Sequence, residues 1–402
     1  MNQVVEPSER LLTRDLVVLI VSGFFALMGF ASTLPLVPRY VENELGGGKV
    51  AVGLALGVFS VSAIVARPMV GRLGDTRGRR FIIVGGTALT ALTVAGHALA
   101  TTLPLLYAAR LAMGATQGAF FVGSATMVND LAPVERRGEA TNYFSVAVYG
   151  GMALGPLLGE MVERAAGFAA AFAAGGACLA LSSVLALNLP KDRPAPAAAD
   201  LLDDGSEAPR SKPGLLYRPA ITPGLILMGG LVTFTALNGF MPLYVQEAEL
   251  GSAGAVLLVY GSLVLVARII GSKFPDRFGT YRMTAISLVG QALGMTVMGL
   301  WASQYGLFAG AAVLAIGGSF LYPTLLTAAV YRVPDNERAR ATSTFSLAFE
   351  LSAGIGGPIL GFAAALFGTR AAFFGAAIAA LASLPVLFRW AARSPASLVP
   401  PR

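Results

Sequence analysis

The sequence predicts an all-α integral membrane protein whose twelve transmembrane helices fall into two pseudo-symmetric six-helix halves. Three observations carry that prediction. First, 55% of the 402 residues are hydrophobic and only 13% are charged, about half the charge of an ordinary soluble domain. Too few polar side chains remain to coat a water-facing surface, which excludes a soluble enzyme. Second, the chain contains twelve apolar runs, each close to the ~20 residues that cross a bilayer core. Third, the two halves of the chain match each other at an offset of about 201 residues. A single Cys178 and a single His97 leave no disulfide framework and no cluster suited to a metal.

In order, the spans lie near 16–38, 50–71, 81–101, 104–128, 139–162 and 165–189, then near 219–245, 253–274, 282–302, 305–330, 340–363 and 368–392. The first follows Arg10 and Arg14 but is too long for a signal-peptide core, so it reads as a retained span. Between the sixth and seventh spans lies PKDRPAPAAADLLDDGSEAPRSKPG, whose Pro, Ala, Asp and Ser content suits a flexible linker. The expected organisation is therefore a first half over 1–189, a linker over 190–218 and a second half over 219–402.

Charge placement predicts orientation. Of the 29 Lys and Arg, 22 fall in the termini and the even-numbered loops and four (Arg39, Lys49, Arg164, Arg370) in the odd-numbered loops. The remaining three, Arg67, Arg110 and Arg268, lie within or beside spans. The positive-inside rule places both termini in the cytoplasm. The net charge of +7 then reflects membrane topology, and no aromatic–basic interleaving supports nucleic-acid binding. Arg outnumbers Lys 25 to 4, which suggests a GC-rich bacterial genome and hence the bacterial inner membrane.

The internal repeat is read from identities in one register. Val65–Ala66–Arg67 recurs as Val266–Ala267–Arg268, and Asp75 and Gly78 recur as Asp276 and Gly279. Pro133, Arg137, Phe144 and Ser145 recur as Pro334, Arg338, Phe345 and Ser346. After a one-residue slip, Gly155, Pro156 and Gly159 recur as Gly357, Pro358 and Gly361. Duplicated helical halves are a transporter architecture, with binding near the midplane between repeats.

Three motifs then carry a family resemblance. The loop after the second span, GRLGDTRGRR at 71–80, resembles the cytoplasmic loop motif of the major facilitator superfamily, with Gly71, Asp75, Gly78, Arg79 and Arg80 in its fixed positions. Without the resemblance, it is a basic inner loop with glycines for close approach and a tight turn. In the fourth span, Arg110 and Gly114 resemble the family's R-x-x-x-G motif; an arginine there needs a partner, a watery cavity or a snorkelling path to the headgroups. In the fifth span, GGMALGPLLGE at 150–160 resembles the antiporter motif, through Gly151, Gly155, Pro156 and Gly159, with Glu160 where a glycine is usual. The same glycines also suit close helix packing. The resemblance implies the twelve-helix fold of the drug:proton antiporter group. It also implies a loop brace joining Asp75, Arg79 and Asp130, and a part in proton coupling for Arg110, with Asp130 a further coupling candidate.

Glu350 is the acid that falls mid-span, ten residues beyond Arg340, or about 15 Å deep at 1.5 Å per residue. A carboxylate at that depth is suited to taking up and releasing protons, although a structural hydrogen bond is the simpler role. The first span carries no acid at the position many drug antiporters use, which places more weight on Glu350. By the resemblance, the central cavity would be lined by Phe25, Phe30, Gln117, Tyr149, Phe234, Asn238, Tyr260, Tyr322, Phe345 and Phe349. An aromatic cavity with few amides suits an amphipathic solute. The expected protein is a proton-coupled exporter of drug-like or amphipathic metabolite molecules, acting as a monomer in the lipid bilayer. It is expected to have no cofactor, metal or catalytic residue. A proton-linked importer or a sugar or metabolite efflux permease of the same fold is the alternative.

Overall fold

The computed structural model describes residues 11–133, 136–191, 216–271, 274–330 and 333–393. Most of the expected linker and parts of three loops lie outside the described residues. All regular structure among those described is helical. α1 (Arg14–Asn43), α2 (Lys49–Arg77), α3 (Arg79–Gly96), α4 (Leu103–Leu131) and α5 (Arg137–Ala186) build the first half. The second comprises α6 (Arg218–Gly239), α7 (Met241–Glu247), α8 (Ala253–Ile270), α9 (Phe274–Phe278), α10 (Thr280–Leu300), α11 (Gln304–Gly318), α12 (Leu321–Val330), α13 (Asp335–Phe367) and α14 (Arg370–Arg393).

At 50 residues, α5 would be about 75 Å long if straight, more than twice a bilayer core. It is instead two crossings joined at Gly167, whose φ of 82° is non-helical. Gly368, 201 residues later, adopts φ 84° and separates α13 from α14. Gly78 and Gly279 form a second such pair, at φ 88° and 76°. These paired left-handed turns make the repeat visible in the backbone, and the eleven long apolar helical stretches among the described residues, with α5 counted as two, give twelve crossings.

Two crossings are broken. α6 passes into α7 at Phe240, just before Pro242, and α11 passes into α12 at Ser319–Phe320, just before Pro323. Proline supplies no N–H, so the carbonyl four residues earlier loses its helical donor. Polar side chains start three crossings: Thr13, Ser252 and Ser303 accept from Leu16, Ala255 and Gly306 at the helix beginnings.

The packing is built on small residues. Gly151, Gly155 and Gly159 recur every fourth residue along α5, where an added Cβ would lie 2.3–2.5 Å from backbone oxygens of Phe24, Met28 and Ser32 on α1. Close approach of α1 and α5 therefore needs glycine at all three. Their repeat counterparts do not repeat this contact. Gly357 and Gly361 face α2 of the other half, against Gly53 and Lys49. The one-residue slip between the copies rotates the motif onto a different face.

Candidate functional site

The halves meet along α2–α13 and α5–α8. Both contacts carry a polar pair, and the repeat relates the pairs to each other. On α2, Arg67 Nη2 lies 3.0 Å from Glu350 Oε1 on α13. On α8, the Arg268 guanidinium donates to the Tyr149 hydroxyl on α5 and lies 4.6 Å over that ring. Arg67 and Arg268 are 201 residues apart, as are Tyr149 and Glu350. Each half thus contributes one arginine, and the opposite half answers it with a carboxylate on one side and a phenol on the other. Arg268 Nε also donates to the Ser319 carbonyl at 3.2 Å, the acceptor that Pro323 leaves open in the broken helix.

Glu350 is buried, with 10% of its side chain exposed against 34% for Arg67. The sequence placed Glu350 mid-span and Arg67 near a span, but not their contact. The recurring Val-Ala-Arg was the available signal for the two arginines, and Pro323 was the signal for the free carbonyl.

An aromatic arc links α8, the helix of Arg268, to Phe349, the residue before Glu350. Tyr260 on α8 packs against Phe234 on α6 with centroids 6.4 Å apart, and Phe234 against Phe349 on α13 at 6.0 Å. Among the other expected cavity residues, Phe25 packs on Phe24 and Phe30 on Phe59. Phe30 and Gln117 border a small gap with Thr90 and Leu179 inside the first half. Asn238 is buried and donates to its own helix at Phe234. Phe345 is fully buried against Tyr322, so in this conformation it is a core side chain with no surface offered to a solute.

Arg110 is 5% exposed. Its Nε donates to the Ala55 carbonyl at 3.1 Å, and its guanidinium lies 4.7 Å over Phe59. Among the described residues no carboxylate pairs with it. Neighbouring Gly114 meets α2 at the Phe59 carbonyl. At the loop motif, Arg79 pairs with Asp130, joining two of the three groups expected in the brace. The Asp75 side chain lies outside the described residues. Arg80 donates to the Leu187 carbonyl. Buried His97 bonds to Thr93 and stacks on Phe172, as a packing residue does.

The end of the bundle opposite the termini is closed by a polar belt. Asn43 and Gln246 exchange side-chain hydrogen bonds at 2.9 and 3.2 Å, and Arg39 Nε joins Gln246. Lys49 pairs with Glu247 at 2.7 Å, and Thr369 donates to the same carboxylate. Glu160, the departure from the antiporter motif, is 2% exposed. Its carboxylate accepts from the Ser252 hydroxyl at 2.8 Å and from the Gly254 N–H, with Arg164 at 2.5 Å. It caps α8 from the opposite half, accepting from one orphan backbone donor of that helix start while Ser252 takes the next, from Ala255.

A membrane protein of two six-helix repeats, joined through paired polar contacts, has the architecture of an alternating-access carrier. The family model for the Major Facilitator Superfamily (MFS) matches residues 19–274 and 248–402, and the chain belongs to that superfamily. An uncharacterized MFS-type transporter of Salmonella typhimurium is 28% identical over 370 residues, covering 88% of this chain and 90% of the relative. A second, from Burkholderia mallei, is 28% identical over 382 residues, covering 92% and 91%. Among solved structures, a mutant peptide transporter, POT, matches with a TM-score of 0.80 at 14% identity, covering 98% of this chain and 97% of that one. A bacterial homologue of the human lysosomal transporter Spinster, in an inward-facing and occupied conformation, matches at 0.75 with 15% identity, covering 98% and 100%. At those identities the likeness is one of fold. The chain is a multi-pass membrane transporter.

Proposed function

We propose that this transporter is proton-coupled and exports drug-like or amphipathic metabolite molecules by alternating access. In this reading it sits in the bacterial inner membrane as a monomer, with both termini cytoplasmic. The observation that carries the coupling is the Arg67–Glu350 ion pair, which joins the halves through a buried carboxylate. A proton on Glu350 neutralises it and leaves Arg67 without its counter-charge, so protonation loosens one of the two inter-half pairs. Loss of the proton restores it. The Arg268–Tyr149 contact contains no carboxylate. A charge that cycles between paired and neutral states avoids the penalty of a bare ion in the membrane. The 22-to-4 basic asymmetry supports the orientation, and the antiporter-type motif in α5 supports export.

Proteoliposomes test the proposal. Glu350→Gln should fold and insert, abolish pH-gradient-driven accumulation, and leave counterflow exchange in place, since exchange needs no net proton movement. Undiminished accumulation by that variant under an imposed pH gradient would remove Glu350 from the coupling step.

A further inference from the structure

The charges in the spans do not balance, and the imbalance has a location. Beyond half-buried arginines already paired with carboxylates near helix ends, such as Arg39 with Glu163, Arg79 with Asp130 and Arg340 with Glu337, Arg67, Arg110 and Arg268 are buried or half-buried in the spans among the described residues. Against them stand two buried carboxylates, Glu350, which holds Arg67, and Glu160, which holds Arg164 at the far end. Arg110 is sealed from solute by burial, its Nε satisfied by the Ala55 carbonyl. Arg268 is different. It is only half-buried, and its described partners are the Tyr149 hydroxyl and the Ser319 carbonyl, neither of which carries a negative charge.

An uncompensated guanidinium at a membrane-embedded interface is unfavourable unless an anion or water reaches it. The phenol and the carbonyl orient the arginine while leaving its charge free to attract one. Tyr260 stands eight residues before Arg268 on α8, and from it the aromatic contacts cross to Phe234 on α6 and Phe349 on α13. Positive charge at one end and an aromatic arc beyond it together select a solute that carries both complements.

We propose that Arg268, held by Tyr149 and Ser319, binds the acidic group of an amphipathic organic anion whose apolar body lies along the Tyr260–Phe234–Phe349 arc. This rests on the carrier reading above and narrows its substrate class to anions. Arg268 supplies paired N–H donors in a fork that matches a carboxylate. The pseudo-symmetric partner is the internal comparison. Glu350 fills that position at Arg67, whereas at Arg268 tyrosine leaves it open for a ligand from outside the chain. Anionic lipid headgroups share this chemistry, so the test separates lipid from free solute.

The full-length protein, in nanodiscs of phosphatidylcholine alone, is titrated with naphthoate, naphthamide and naphthylmethylammonium, and binding is read by thermal shift and by calorimetry. Naphthoate should bind at least about 10-fold more tightly than either analogue, the scale of one charge-assisted contact. Arg268→Gln should remove that preference, and Arg268→Lys should keep part of it. Equal binding of naphthoate and naphthamide, or a preference that survives in Arg268→Gln, overturns the proposal. A preference seen in phosphatidylcholine but abolished when the nanodiscs carry phosphatidylglycerol assigns Arg268 to lipid and overturns it too. If Arg268→Gln does not fold, the comparison of the three probes on wild type and Arg268→Lys still decides. Binding needs no gradient, so a failed anion preference leaves the Glu350 coupling test standing, and the reverse holds as well.

Discussion

Arg67 and Glu350 stabilise the inter-half contact only as a pair, and this distinguishes a coupled ion pair from two independent polar residues. Removing one partner of a buried pair leaves an uncompensated charge, at a typical penalty of about 3–5 kcal/mol, whereas replacing both can be nearly neutral. With 34% of the Arg67 side chain exposed, solvent screening reduces the expected penalty to about 1–3 kcal/mol. Arg67→Leu and Glu350→Leu should each lower the unfolding temperature of the purified protein, and the double variant should recover most of the loss. Additive losses in the double variant would show that the two side chains do not interact. At this scale the sequence was legible in identity but not in partnership. Glu350 stood out by its depth, and both arginines by the Val-Ala-Arg repeat. Their contacts depend on how four helices rotate about their axes, and a uniformly apolar span gives little periodicity from which to read that rotation.

Helices α5 and α8 show how one local substitution ties elements together. Glu160 reaches from α5 to the first turn of α8, where a helix start leaves backbone donors without acceptors. Glu160→Ala removes a buried acceptor of charge-assisted bonds and should destabilise the protein by about 2 kcal/mol, read as a drop in unfolding temperature. Glu160→Gln should recover part of that loss, because an amide oxygen still accepts. Gly155→Leu acts on the other face of the same helix. Its Cβ alone would meet the Met28 carbonyl at 2.5 Å, so the variant should fail to pack α1 and be recovered mainly as aggregate on size-exclusion chromatography. A monodisperse, stable Gly155→Leu would contradict the α1–α5 contact. The glycine face was readable from its four-residue spacing. The cap was not, because Glu160 appeared in the sequence only as a departure from a motif, and its partner lies on the other half. Breaks at Phe240 and Ser319 were also absent from the reading: hydropathy continues unchanged across them, and only the prolines mark them.

For the whole molecule, the far-end belt sets what must move. Asn43, Lys49, Glu160 and Arg39 of the first half hold Gln246, Glu247, Ser252 and Gly254 of the second. All these bonds lie at the end opposite the termini, so a solute crosses that end only when the belt parts. Twelve spans, the repeat and the superfamily were legible because membrane thickness fixes helix length and duplication leaves identities in register. The belt was not, since its members are ordinary loop-end polar residues until folding brings them together. Its opening is open to a direct trap. Asn43 and Gln246 exchange hydrogen bonds at 2.9 and 3.2 Å, and both are exposed enough for reagent to reach. In a Cys178→Ser background, Asn43→Cys with Gln246→Cys should be joined by a short bifunctional thiol reagent, and the joined protein should lose transport. Each single cysteine, treated alike, should transport normally, which separates tethering from mere modification. A cleavable reagent should return transport on reduction. Binding of a ligand that enters from the termini end should survive the tether, because that end is untouched by it. Full transport by the tethered protein would mean that the halves do not separate at this end, and alternating access through this belt would then be wrong.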